Sequence, residues 1–296
     1  LETMSENKRR PSGILQALAG IAGFGALAGV MVTAMISPAL AVTSVGATSA
    51  IGVFDALPEF IELGDQAQKN TLWAQKTQDP ADGYTAFAEV YWQDREEVAL
   101  EDMSPYLLAA AVAGEDRRFY DHTGVDINSI VRATLGNVFS GGIESGASTL
   151  TMQLVKNTYI QRSQYLPTAE ERQAAYAVAI ETSFQRKLNE MKLAIGLEKQ
   201  YTKEEILEAY LNITGFGGNT YGVQAASQQY FGKPAKSLSP AEAASLMAIV
   251  QYPTTRNLSN PENYAANQER RDIILAAMFA EDYLTQAQYD RAIATP

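Results

Sequence analysis

The chain has 296 residues, a formal charge of −11, one histidine and no cysteine. That length holds a full domain with further segments. The acidity disfavours nonspecific nucleic-acid binding, and the lack of cysteine removes disulfides, thiol nucleophiles and thiolate zinc sites.

Residues 1–12 are expected to be a cytoplasmic tail and 13–42 a transmembrane helix. No charged residue occurs from Ile14 to Val42, a run longer than the ~20 apolar residues that cross a bilayer. Lys8, Arg9 and Arg10 precede it and set the N-terminus in the cytoplasm. Gly20, Gly23, Gly25 and Gly29 supply a small-residue face suited to helix contact. A cleaved signal peptide ending near Ala39-Leu40-Ala41 is the alternative, but its apolar core would normally be only about 7–15 residues, which favours an uncleaved anchor. Residues after about 43 are then extracytoplasmic.

Residues 43–103 are expected to form a membrane-proximal stalk. It would contain a short amphipathic segment, "FDALPEFIELGD", and two extended pieces, "TAFAEVYWQD" and "REEVAL".

From 104 to 296 the chain reads as mainly α. Ser104 before Pro105 is an N-cap followed by a first-turn proline. Thr202 with Glu205, and Ser239 with Glu242, match the capping box, and Asn260-Pro261 opens a helix expected to reach about Phe279. Phe184, Leu188, Met191 and Ile195 recur at helical spacing and predict one buried stripe.

Three charged segments could carry chemistry. "AGEDRRFYDHTGVD" (113–126) holds Glu115, Asp116 and the sole histidine, His122. With no second histidine and no cysteine, it offers carboxylate chemistry or a structural corner. In "ESGASTLTMQLVKN" (144–157), Gly146 and Ser148 precede an amphipathic helix whose free N–H groups suit an anion, and Gln153 and Lys156 share a face. Plain N-capping by Ser148 with an exposed Lys156 is the alternative. In "FQRKLNEMKLAIGLEKQ" (184–200), Arg186 and Lys187 lie four and three positions before Glu190. That trio is either a surface ion pair of small worth or the edge of a phosphate site. Residues 146–203 hold eight Lys/Arg against five Asp/Glu, a basic island in an acidic chain.

These segments occur in order with "KEEILEAYLN", "YGVQAASQQYFGK" and "LSPAEAASLMAIVQYP". Over roughly residues 100–295 the set resembles the peptidoglycan glycosyltransferase domain, family 51, of class A penicillin-binding proteins and monofunctional transglycosylases. The resemblance implies a lysozyme-like α-helical domain with a membrane-embedded jaw, spanning 104–296. It implies a single-pass bacterial cell-membrane enzyme that polymerises lipid II into β-1,4-linked glycan with inversion, releasing undecaprenyl pyrophosphate. Glu115 then matches the catalytic base and Glu190 the second glutamate, near the leaving group. Asp116, Ser148, Thr149, Gln153, Lys156, Asn157, Arg186 and Lys187 match substrate-binding positions, Asp116 being either a helper beside the substrate or a structural acceptor. His122 reads as a hydrogen-bonded core residue, with Phe119 and Gly124 shaping the turn around it. No cofactor is required by the pattern; a divalent cation, Mg or Mn, would be placed at Glu190. Implied partners are the lipid-linked glycan, membrane lipids, the inhibitor moenomycin and other cell-wall synthesis proteins, with no nucleic acid.

The chemistry is consistent with this. Displacing a pyrophosphate requires cations and N–H donors where negative charge accumulates, and activating a sugar hydroxyl requires a carboxylate of raised pKa.

Three features depart from the family pattern. Met152 replaces a frequent second glutamine, Gly215-Phe216-Gly217 lacks an aromatic before the Phe, and the segment between Lys156 and Arg186 is long, in the actinobacterial style. A donor-site arginine belongs in that segment, and Arg162 and Arg172 both qualify. No KTG or KSG triad is present and the S-x-x-K match, Ser5 to Lys8, falls in the tail. A transpeptidase domain is expected to follow in a full-length bifunctional protein. The competing readings are a lysozyme or lytic transglycosylase, which would call for paired carboxylates, and a non-catalytic cell-wall scaffold.

Overall fold

The computed structural model describes residues 61–63, 70–77, 82–90, 93–130, 132 and 148–296. They belong to one unit, Pro58–Pro296. The expected tail, transmembrane helix, glycine face and most of the amphipathic stalk segment lie outside the described residues. Among those residues no helix is long and apolar enough to cross a membrane.

The stalk region contributes a hairpin. Strand β1 (Asn70–Gln75) pairs antiparallel with β2 (Tyr84–Val90), with a register shift between Leu72 and Trp73. The first expected extended piece therefore forms a strand, and its partner lies upstream in residues that carried no alternation. The second piece does not become a strand. Residues 95–99 run without ladder pairing, and Leu100 enters a short 3₁₀ turn, Leu100–Asp102.

Among the described residues, apart from a helical stretch at 127–130, nine helices follow: α1 (Pro105–Glu115), α2 (Leu150–Ser163), α3 (Ala169–Ile180), α4 (Phe184–Leu197), α5 (Lys203–Ile213), α6 (Val223–Phe231), α7 (Pro240–Gln251), α8 (Tyr264–Ala280) and α9 (Gln286–Ile293). Their starts are set locally. Ser104 accepts from Tyr106 N ahead of Pro105, and reciprocal capping boxes open α5 and α7 at Thr202 and Ser239. Each such cap satisfies N–H groups that otherwise lack partners, at about 1 kcal/mol per cap. Asn260-Pro261 opens a 3₁₀ turn, Pro261–Asn263, before α8 proper begins at Tyr264.

Two packing groups share one core. In the first, α1, α7 and α8 pack on one another through Leu107, Val112, Leu246, Ile249, Ile274 and Met278. In the second, α2 lies against α3, α4 and α5, burying Leu150, Leu154, Leu193, Leu197, Ile206 and Leu211. The mainly α reading holds.

The buried face of α4 differs from the expected one. Leu188, Met191 and Ile195 are only half-buried, whereas Glu190, Leu193, Ala194 and Leu197 are buried. These four are spaced i, i+3, i+4, i+7, the signature of one helix face. The stripe lies elsewhere than apolar spacing indicates because a carboxylate sits in it.

Candidate active site

Glu115 is the last residue of α1, a helix largely buried in the core. Gly114 just before it faces α8, where an added Cβ would lie 3.2 Å from Ile274 Cγ1. This close approach brings Arg270 of α8 to the end of α1. Arg270 Nη2 donates to Gly114 O at 2.8 Å and lies 3.4 Å from Glu115 Oε1. From the other side Gln153 Nε2 donates to Glu115 Oε2 at 3.2 Å, and Tyr210 OH donates to Gln153 Oε1 at 3.1 Å. The tyrosine thus fixes which end of the amide meets the carboxylate. The Glu115 side chain is 11% exposed. Burial pushes its carboxyl above the usual carboxylate range, and Arg270 and Gln153 pull it part of the way back. In its ionised form a carboxylate held in this way has a stronger than usual appetite for a proton.

Asp116 has a different task. Its Oδ2 accepts from Leu150 N at 3.0 Å, at the start of α2, and pairs with His122 Nε2 at 2.9 Å. The other ring nitrogen of His122 faces Glu198 Oε1 at 3.8 Å, and Glu198 in turn holds Thr151 Oγ1 and Lys203 Nζ. Asp116 and His122 therefore tie α1, α2 and the end of α4 together. Phe119 is buried beside His122, edge to face at 6.2 Å between ring centres. Gly124 has φ +93°, and its carbonyl accepts from Thr149 Oγ1 at 2.7 Å. The cap of α2 is Thr149, whose hydroxyl receives Met152 N, and not Ser148.

Ser148 is thereby free to face a cavity of about 730 Å³. Glu115, Ser148, Gln153, Lys156, Asn157, Arg186, Lys187 and Glu190 all line it. Asp116 and Thr149 do not; they line a neighbouring cavity of about 410 Å³ with Arg117, Arg118 and Asp126. Glu115 and Ser148 belong to both cavities, so Glu115 stands at their partition.

The large cavity has a cationic wall organised by Glu190, which is 3% exposed. Arg186 Nη1 pairs with its Oε1, and Lys187 Nζ lies 3.1 Å from its Oε2 and 2.5 Å from Ser148 Oγ. The trio is no solvated surface pair, because its carboxylate is buried. Burial lowers Lys187 to about 8, with the nearby charges of Arg186 and Lys156 adding to the effect. Lys156 is lowered in the same way, by burial first and Arg186 second. Cations held this close repel one another until an anion arrives. Both oxygens of Glu190 are already engaged, and among the described residues no group of three or more His, Asp or Glu side chains converges.

Arg270 and Tyr210 were missed from the sequence. The available signal for Arg270 was weak: it precedes Ile274 and Met278 at i+4 and i+8, a cation on an otherwise apolar face. Arg162 and Arg172 both lie outside the cavity lining. Arg162 donates to Glu62 O at 2.6 Å and Arg172 to Leu166 O at 2.8 Å. Met152 is buried, so the glutamine position is filled by packing, and Phe216 is buried as well. Gly146 lies outside the described residues.

The helical domain thus sets Glu115, an enclosed carboxylate, beside a cavity whose other wall is cationic. The chain matches the transglycosylase family over residues 83–279 and belongs to it. It is 37% identical over 199 residues to penicillin-binding protein 1F of Bacillus subtilis, covering 67% of this chain and 25% of that protein. It is 39% identical over 202 residues to penicillin-binding protein 1A of Neisseria flavescens, covering 68% and 23%. With penicillin-binding protein 1A of Streptococcus oralis it shares 35% identity over 262 residues, covering 88% and 34%. The chain thus spans from about a quarter to about a third of the length of these relatives.

Proposed function

We propose that this domain is a peptidoglycan glycosyltransferase that polymerises lipid II, lengthening a lipid-linked glycan strand and releasing undecaprenyl pyrophosphate. The observation that carries it is the position of Glu115, at the partition between the cationic cavity and its neighbour. Glu115 takes the proton of the acceptor sugar's 4-hydroxyl as that oxygen forms its bond to the donor's anomeric carbon. The anomeric C–O bond breaks on the opposite side, which inverts the centre and gives a β-1,4 linkage. The electron pair leaves with the pyrophosphate, whose charge is met by Lys156, Arg186 and Lys187. Charge stabilisation of this kind, prearranged in a site with little water, supplies much of the rate enhancement in many such reactions. Glu190 holds the two cations in register, and Ser148, Gln153 and Asn157 complete the donor wall. Asp116 and Thr149 serve by fixing the start of α2.

The membrane reading is part of the same proposal: residues 13–42 anchor the chain, with residues 1–12 inside and the catalytic domain outside. Supporting a membrane-embedded jaw, Tyr165, Tyr176, Val178 and Ile180 on and before α3 are exposed apolar side chains, which a lipid surface would cover. A transpeptidase domain further along the full-length protein, other cell-wall synthesis proteins and inhibition by moenomycin complete it.

The test is incubation with lipid II in detergent, with and without moenomycin, alongside polymerised glycan as an alternative substrate. Moenomycin-sensitive strand formation is expected. Cleavage of the polymer without strand formation would make it a glycan-cleaving enzyme, and inertness towards both would make it a scaffold.

A further inference from the structure

Two residues on different helices bear on the same oxygen of Glu115, one through the other. Gln153 of α2 donates from Nε2 to Glu115 Oε2 at 3.2 Å, and Tyr210 of α5 donates from its hydroxyl to Gln153 Oε1 at 3.1 Å. An ionised carboxylate only accepts, so it selects the NH2 end of an amide. The carbonyl end then points away and needs a donor of its own. Tyr210 supplies that donor from a position with no exposure to solvent. Burial holds the phenol well above its usual range, so it keeps its proton and remains a donor at neutral and mildly alkaline pH.

A glutamine amide can turn end for end. With its carbonyl toward Glu115 it would repel the carboxylate and favour the protonated acid, which has an O–H to donate. The turned amide would bring its NH2 to Tyr210 and remove the acceptor that the phenol's hydrogen now uses. The charged groups around Glu115 do not make this choice. Arg270 of α8 bears on Oε1, Arg256 beyond α7 adds a smaller pull, and Asp116 is the next residue and faces His122. Lys156, Arg186, Lys187 and Glu190 line the cavity beside Glu115. Among the described residues only Tyr210 donates to Gln153 Oε1.

We propose that Tyr210 is a positioning residue for the general base: by holding the Gln153 amide with its NH2 toward Glu115, it keeps that carboxyl ionised further into the acid range. Tyr210 lines neither cavity, so it acts through Gln153 and not on substrate. The inference rests on the reading of Glu115 as the base.

The test is the pH profile of kcat/KM for lipid II polymerisation by the full chain in detergent, whose acid limb reports the base in the free enzyme. In Tyr210→Phe the limb is expected to move to higher pH by about one unit, the scale of one hydrogen bond to a charged group. Most of the plateau above it should be kept. A merely structural loss would lower the whole profile with the limb in place, and that result overturns the proposal. Gln153→Met should move the limb in the same direction, whatever it does to the height of the profile. Adding Tyr210→Phe to Gln153→Met should move it no further, because two groups acting through one contact are not additive. Shifts that add, or a limb unmoved in Gln153→Met, overturn the proposal, and the latter decides the matter should Tyr210→Phe fail to fold. Glu115→Gln separates this inference from the reading beneath it. If that variant keeps its rate, the base reading fails and the inference with it; if its rate is lost while the Tyr210→Phe limb stays in place, the inference fails alone.

Discussion

Arg270 Nη2 lies 3.4 Å from Glu115 Oε1, although 155 positions separate them in the chain. In the proposed mechanism, with Glu115 as the base, this contact sets its working range. Burial drives the Glu115 carboxyl upward, and Arg270 is the largest influence in the other direction. Because the base acts only when ionised, the acid limb of the kcat/KM profile follows its pKa in the free enzyme. Arg270→Ala should therefore move that limb to higher pH, and Arg270→Lys should restore part of the shift. A limb that stays in place in Arg270→Ala would show that another group controls it.

Glu115→Gln keeps the shape and the contact with Gln153 but removes the proton acceptor. Donor binding should survive, while turnover should fall by about 10²–10⁴-fold, the usual scale for a general base. Moenomycin titration and lipid II consumption, measured on the same preparation, separate the two. A variant that keeps most of its polymerising rate would exclude Glu115 as the base.

Lys187 gives the cationic wall a pH limit. With its ammonium lowered to about 8, it is charged below that pH and loses its charge as pH rises through it. Affinity for a pyrophosphate-bearing donor analogue should accordingly decline above about pH 8. A single charge-assisted contact is worth roughly 10- to 150-fold, so Lys187→Ala should lose about that much at neutral pH. Lys187→Arg carries a guanidinium that does not titrate in this range, and its affinity should hold further into the alkaline region. Calorimetric titration across pH 7–10 reads both effects; a parallel decline in parent and Lys187→Arg would assign the limit to Lys156.

What the sequence made legible was local or motif-borne. Thr202 with Glu205 and Ser239 with Glu242 are contacts within one helical turn, and both formed as the pattern required. Lys187 and Glu190 are one turn apart on α4 and needed only the helix to meet. The misses have physical causes. The buried face of α4 escapes the pattern because Glu190 occupies a position that hydrophobic periodicity reserves for apolar side chains, and two cations compensate it there. The sequence offers Ser148 as the cap of α2, whereas the hydroxyl that caps it is that of Thr149, which is also bound to Gly124 O, 25 residues away. Tyr210 and Arg270 reach Gln153 and Glu115 only through the packing of α5 and α8. Their roles follow from tertiary proximity, which no spacing along the chain encodes.

Gly124 is the position where backbone geometry and the site are most directly joined. Its φ of +93° is disfavoured for any residue with a Cβ, and an added Cβ would lie 2.6 Å from the carbonyl carbon and oxygen of Ala194 in α4. Neither backbone can yield without moving α4, which carries Arg186, Lys187 and Glu190. The left-handed penalty alone is about 1–2 kcal/mol, and the clash adds to it. A domain of this size loses about 2–4 °C of melting temperature per kcal/mol, so Gly124→Ala should lower Tm by at least roughly 2 °C, and by more with the clash included. Gly232, which ends α6 at φ +65° with open space around its missing Cβ, provides the control. Gly232→Asn suits a left-handed helix end and should change Tm little. Because Gly124 O also receives Thr149 Oγ1, Gly124→Ala should disturb the start of α2 as well as α4. Its loss of polymerising activity at a temperature where it is still folded should therefore exceed that of Gly232→Asn. Equal melting temperatures for the two variants would mean that the turn around His122 relaxes without cost, and that it does not hold α2 and α4 in register.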